Sequence, residues 1–474
     1  MSKRVMVFVG TSKGGFIFES DEKRRNWQRS DIQFKSWNVM HMKLDPRDNR
    51  LHAATAHFVY GPTTHFSDDL GKSWTQAKAS PMLSRPSKSG RPASTVDEAF
   101  RSEGGEDIKD NPEKMIKVWN ITPGRKDEPN VLYAGAQPAS FFVSRDRGET
   151  WELNEALYDH PQRGQWNPGA GGLTLHTILL DPRDLNRMYI AVSAAGCYRT
   201  DDGGRTWAPY NKNVRADFMP NVFPEFGQCV HKMAMHSSNP NVLYQQNHCG
   251  VYRSDNMGED WIDIGEGKLP TRFGFSIAVH PTDPRTVYVV PVESQEYHMS
   301  MDGRLAVWRS RNAGGSWEQL TKGLPEHAHV DVLREAMGTD TFEDAGIYFG
   351  TNTGQLFYSR DSGDSWEMLA DYLPPIQYMV RLVPLVTIPQ GKMGYIFARD
   401  GKLLDSTQTL ASNDEVSDFQ DVESFLKSGG QRGPQRRILR EGTYAINLMQ
   451  FIVLTDERIY SLPLSRLRHS GRTG

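Results

Sequence analysis

The chain predicts an all-β fold, a β-propeller of four-stranded blades, with seven blades favoured and eight as the alternative. Three observations predict it. First, the pattern Ser/Thr-x-Asp/Asn-x-Gly-x-x-Trp occurs six times, at Ser67–Trp74, Ser144–Trp151, Thr200–Trp207, Ser254–Trp261, Ser310–Trp317 and Ser359–Trp366. A degenerate copy, Ser20–Trp27, has Glu22 and Arg24 where the acid and the glycine belong. Second, the tryptophans recur at steps of 47, 77, 56, 54, 56 and 49 residues, the period of a four-stranded unit. Third, an apolar run ending in an Asp/Pro turn precedes each motif, as in KLDPRDNRLHAAT, LLDPRDLNRMYIAV and AVHPTDPRTVYVV.

Within one unit each signal has a mechanical reading. The Ser/Thr and Asp side chains of the motif close a tight turn onto backbone N–H groups, and its glycine supplies positive φ. The Trp then packs into the core on the returning strand. Four such short strands cannot bury themselves alone, so units repeat around an axis. The N-terminal VMVFVGTSKGGFIFES supplies only the later strands of the first blade, and Pro375–Pro384 is the candidate strand that closes the ring. The propeller is thus expected over residues 1–385. Residues 386–474 form an extension, packed on the propeller or making an extra blade, with two hairpin-like pieces, GYIFARDGKLLDS and QFIVLTDERIYSL. The polar stretch between them reads as a flexible linker.

Composition narrows the partners. Lys+Arg 55 against Asp+Glu 58 gives a net charge of -3, without the basic stripe that a phosphate backbone demands, so nucleic acid is not expected. No apolar run approaches the length of about 20 residues that spans a bilayer, so no membrane partner is expected. The start lacks a secretory h-region, and three cysteines make no disulfide framework, which points to a soluble, cytoplasmic protein.

Topology locates the site. The Asp/Pro turn and the Trp motif both fall on one face of the disc. The connections between strands two and three, and between one blade and the next, fall on the other. That second face carries the long inserts at 77–116, 154–173, 208–228 and 291–305, and loops on a rigid scaffold carry function. Unusual polar residues converge there. His176 and His231 begin equivalent inner strands, Cys229 lies just upstream of His231, and His248 and Cys249 occupy a strand-two-to-three loop. Arg334 and Glu335 start another inner strand, as do Trp119 and Asn120. His176, His231 and His248, with Cys249, Cys229 or a carboxylate such as Glu335, form a candidate metal set. Imidazole and thiolate would suit one transition metal, zinc or iron. The alternative is that these histidines bond backbone at the channel rim and the cysteines are buried hydrophobes. Asp69, Asp146, Asp202 and Asp361 belong to turns on the other face, and His52 and His160 read as surface or turn residues.

The motifs, together with WNPGAGGLTLHTILLDP, GQCVHK, QQNHCGVYRSD and VLREAM, resemble the BNR or Asp-box repeat family of sialidase-like glycosyl hydrolase propellers over roughly residues 4–384. The resemblance implies a small-molecule or glycan ligand at the central channel mouth and glycosidase-like chemistry. That chemistry needs two carboxyl groups about 5 to 10 Å apart. Glu335 is the foremost carboxyl, with Arg334 as its catalytic partner, and His176, His231, His248, Trp119 and Asn120 are the ligand-binding set. The Arg-Ile-Pro-like start of true sialidases has no counterpart, and Arg215, Arg272, Arg334 and Arg381 could supply their three arginines although nothing in the sequence fixes three of them together. The sequence also leaves open a metal-binding propeller and a non-catalytic scaffold with a protein partner.

Overall fold

The computed structural model describes residues 4–90, 113–169, 171–342, 344–374, 386–399, 401–411, 419, 422–444, 446, 450–456 and 459–460. The chain divides into two compact units, Met1–Tyr378 and Met379–Gly474. None of the described helices is long and apolar enough to cross a membrane.

The first unit is a β-propeller of seven antiparallel sheets, six of them four-stranded. In blades two to seven the strands follow one another across the sheet in chain order. Their first strands are Asn38–Leu44, Lys117–Pro123, Leu175–Leu180, Val230–Met235, Gly274–Val279 and Met337–Thr339, and all but Gly274–Val279 contribute residues to the lining of the central cavity. Blade one has three described strands, Arg4–Thr11, Gly14–Asp21 and Gln28–Arg29. Its degenerate motif begins at the end of the second, so these are strands two to four of the repeat, as the sequence predicts. The proposed closing strand, Pro375–Pro384, lies outside the described residues.

The repeat turns are built as their residue types require. Thr200 Oγ1 bonds Asp202 and accepts from the Gly204 N–H at 2.9 Å. Asp202 in turn accepts from the Thr206 N–H at 2.9 Å and the Thr206 hydroxyl at 2.7 Å. The same bonds recur around Asp69, Asp146 and Asp361. Gly204 sits at φ 88°, where a side chain is strained. The motif tryptophans then join neighbouring blades. Trp207 Nε1–H donates to Asn154 Oδ1, Trp261 to the Tyr210 carbonyl and Trp317 to the Ile264 carbonyl, each acceptor belonging to the end of the preceding blade.

The core therefore lies between sheets. Tyr133 and Phe141 of blade three pack with Leu175, Ile178, Ile190 and Tyr198 of blade four, all buried. Gly135 permits that approach, because a Cβ there would meet the Leu175 carbonyl oxygen at 2.3 Å.

In the second unit the two hairpin-like pieces pair with each other. Tyr395–Ala398 lies beside Phe451–Leu454 in an antiparallel sheet flanked by Gly433–Pro434 and Ile459–Tyr460. Part of the stretch read as a flexible linker is structured: Val422–Lys427 is helical, and Phe425 is fully buried with its ring 5.1 Å from that of Phe451. Two aromatics in a polar segment, Phe419 and Phe425, both fully buried, supply the apolar anchor that average composition hides.

Candidate functional site

The inner strands share a local irregularity that creates the site. Blades two to six each carry a register shift near the start of the first strand: Val39/His41, Val118/Asn120, Leu175/Thr177, Val230/Lys232 and Gly274/Ile277. Such a bulge inserts a residue opposite one on the partner strand and re-aims its side chain. The extra residues are Met40, Trp119, His176, His231 and, in blade six, the Phe275–Ser276 pair. Trp119, His176 and His231 thus occupy one repeated position.

The structure gives these residues different surroundings. His176 is fully buried, with Nε2 2.9 Å from the Val230 carbonyl and Nδ1 2.9 Å from the Thr177 hydroxyl, so both nitrogens are engaged. It ties the inner strand of blade four to that of blade five. Burial, then the Arg334 charge, pulls its imidazole well below the usual histidine range. His231 donates from Nδ1 to the Gly274 carbonyl at 2.6 Å and stacks on Phe275 at 4.6 Å between ring centroids. Burial lowers it likewise.

His248, between strands two and three of blade five, reaches over His231 with ring centroids 5.6 Å apart. Its backbone N–H donates to the Cys229 carbonyl at 2.9 Å. The Cys229 thiol and one ring nitrogen from each of His231 and His248 all lie within 4.8 Å of one another. His176 and Cys249 are not part of this group. The Cys249 sulfur instead accepts from the Asp217 N–H at 3.4 Å.

Arg334 lies beside the group, its guanidinium over Trp119 at 5.9 Å and over Phe275 at 5.6 Å. Burial pulls this guanidinium down; the opposing influences are Cys229, Glu335 and Asp331. Burial pushes the Cys229 thiol up, and the Arg334 charge acts against that rise.

Glu335 and Asn120 line a channel cavity of about 580 Å³ with Trp119, Arg334, His41 and Lys232. Glu335 Oε2 pairs with Lys232 Nζ at 2.5 Å while its Oε1 has no protein partner. Asn120 Oδ1 accepts from the Thr122 hydroxyl at 2.6 Å.

Sequence reasoning passed over Asp331. It is 2% exposed, its backbone pairs with Asn352, and its Oδ1 has no hydrogen-bond partner. Burial pushes its carboxyl up to about 7; the Val332 N–H and the Arg334 charge act against the rise. Its spacing from Arg334, in HVDVLREAM, was the available signal.

The inserts are anchored rather than loose where described. Arg163, fully buried, pairs with Glu113 at 2.9 Å and donates to the Ala139 carbonyl, with Tyr158 and Trp166 against its guanidinium. His160 and His52, expected at the surface or in turns, are buried, and His160 Nε2 bonds the Trp207 carbonyl. Exposed aromatics are segregated. Among the described residues of the first unit, the strongly exposed rings are Phe58, Tyr60, Phe218, Phe223, Tyr297 and Tyr372. All six lie on strand-two-to-three or blade-to-blade connections, the face that carries the inserts, and none lies on the face of the repeat turns. Tyr60 stacks on His57 at 4.9 Å and on Trp37 at 6.1 Å, forming an aromatic ledge.

No family model matches the chain. It is similar to a probable oligoxyloglucan-reducing end-specific xyloglucanase from Neosartorya fischeri, 27% identical over 168 residues, covering 35% of this chain and 16% of that one. It is also similar to the xyloglucanase Xgh74A of Acetivibrio thermocellus, 24% identical over 278 residues, covering 50% of this chain and 30% of that one. The matches span less than a third of the length of these relatives. Among solved structures, the GH74 enzyme of Niastella koreensis is 14% identical, with a TM-score of 0.49, covering 83% of this chain and 56% of that one.

Proposed function

We propose that the protein is a glycan-directed β-propeller that binds a polysaccharide across the insert-bearing face and cleaves it at the channel mouth. The observation that carries this reading is the segregation to that one face of the six strongly exposed aromatic rings among the described residues of the first unit. Sugar rings present flat C–H surfaces, and rigid, amphipathic aromatic side chains bury them while leaving the hydroxyl groups solvated. The similarity to xyloglucanases supports a β-glucan backbone as the substrate class.

Hydrolysis of a glycosidic bond needs one carboxyl that holds a proton and a second that acts as base or nucleophile. Asp331, raised by burial, fits the first role. Glu335, ion-paired to Lys232 and with Oε1 unpartnered, fits the second. Arg334, which also lines the cavity, would bind a substrate hydroxyl.

The test is reducing-sugar release from xyloglucan and other β-glucans by the full chain, with Asp331→Asn and Glu335→Gln alongside. The expected result is hydrolysis that falls at least a hundredfold in both variants while folding is retained. Binding without turnover would reassign the face to a non-catalytic glycan receptor. Neither binding nor turnover on any glycan would overturn the reading.

A further inference from the structure

The geometry points to a zinc site formed by Cys229, His231 and His248 at the start of blade five. Three features place it beyond a chance grouping of soft ligands.

The first is convergence. A thiol and two imidazoles from two separate segments bring their ligand atoms within 4.8 Å of one another. Tetrahedral zinc, with bonds of about 2.0 to 2.3 Å, needs them roughly 3.5 Å apart, so closure takes about an ångström.

The second is the hydrogen bonding of the far side of each ring. A metal-bound histidine normally uses its other nitrogen to donate to an oxygen, which fixes the ring and its tautomer. His231 Nδ1 faces the Gly274 carbonyl at 2.6 Å; a carbonyl only accepts, so the proton is on Nδ1 and the lone pair on Nε2. His248 Nε2 faces Gln295 Oε1 at 2.6 Å. The orientation of that amide is set in turn, because Gln295 Nε2 donates to the Glu296 carboxylate at 2.7 Å. His248 therefore keeps its lone pair on Nδ1. Each ring is oriented by a neutral oxygen and leaves one nitrogen to bind.

The third is the support around the ligands. The bulge between Val230 and Lys232 aims His231, and the bond from the His248 N–H to the Cys229 carbonyl holds the two ligand segments together. Phe273 packs edge-on against both histidines, at 5.4 and 5.0 Å. Two imidazoles and a thiolate select a borderline-soft ion over magnesium or calcium, and three protein ligands leave a fourth position for water or an incoming oxygen.

The experiment loads metal-free full-length protein with zinc and measures affinity by competition with a chromophoric chelator. Cobalt(II) absorption and alkylation mapping of the three cysteines accompany it. One zinc per chain is expected, with a tetrahedral cobalt spectrum carrying a thiolate charge-transfer band. Zinc should shield Cys229 from alkylation selectively. Cys229→Ser and His248→Ala should weaken binding at least a hundredfold, Gln295→Ala by roughly tenfold, and Cys249→Ser hardly at all. His248 and Gln295 lie in a loop, so their variants report even where His231→Ala does not fold. Absence of stoichiometric zinc, undiminished affinity in folded Cys229→Ser, or a cobalt spectrum without a thiolate band would each overturn the assignment.

Discussion

Replacing Asp331 by Asn should stabilise the propeller, and by an amount that grows with pH. The carboxyl is almost fully enclosed, one oxygen has no hydrogen-bond partner, and burial raises it from 3.8 to about 7. That rise corresponds to about 4 kcal/mol of preference for the neutral form. Below pH 3.8 both folded and unfolded chains hold the proton and nothing is lost. Between 3.8 and about 7 the unfolded chain releases it while the folded chain keeps it, so stability falls as pH rises. Above 7 the whole cost is present. An asparagine never carries it. The gain from Asp331→Asn should therefore be roughly 2 kcal/mol at pH 5 and about 4 kcal/mol at pH 8. Urea unfolding of both proteins at the two pH values measures the difference, and taking that difference cancels any pH-independent packing change made by the substitution. A gain identical at pH 5 and pH 8 would refute the reasoning. A residue that costs this much stability is expected at a functional position, where a carboxyl that holds its proton near neutrality can donate it.

Other perturbations separate scaffold from site. Arg163→Ala leaves Glu113 buried without its cation and should lower stability by about 3 to 5 kcal/mol, read as a fall in Tm. Asp202→Ala removes bonds from Thr200, Thr206 and the 205–206 backbone and should lower stability by about 1 to 2 kcal/mol, with glycan affinity of the folded protein unchanged. Burial would raise the Asp202 carboxyl, but these bonds outweigh it and hold it at about 2, so their contribution is lost only as pH falls from 3.8 through 2. Phe58→Ala and Tyr60→Ala, on an exposed ledge, should leave Tm alone and weaken glycan binding roughly tenfold each, measured by affinity electrophoresis.

The propeller was legible because its repeat turns are local. A Ser, an Asp and a Gly within five residues specify their own hydrogen bonds, as Thr200, Asp202 and Gly204 do, and the following Trp marks the blade boundary. Which connections carry the long inserts followed from alternation of the connections alone. What stayed hidden depends on three-dimensional neighbours. Sequence periodicity placed His176 and His231 as equivalents but not on bulges, and it could not tell that His176 spends both nitrogens on blade four and blade five while His231 keeps one free. Cys249 and Cys229 differ in their neighbours: the Asp217 N–H meets the Cys249 sulfur, while the Cys229 thiol lies beside His231 and His248. Asp331 looked like any turn-forming aspartate, because its lack of a partner is a property of the packing around it.

The most direct test of a glycan-binding insert face is hydrogen exchange of the full chain with and without a xyloglucan oligosaccharide, read by mass spectrometry. Exchange should slow in the connections around Phe58–Tyr60, Phe218–Phe223 and Gln295–His298, and stay unchanged in the turns Ser67–Trp74 and Thr200–Trp207. Protection confined to those turns, or no protection at saturating oligosaccharide, would contradict it.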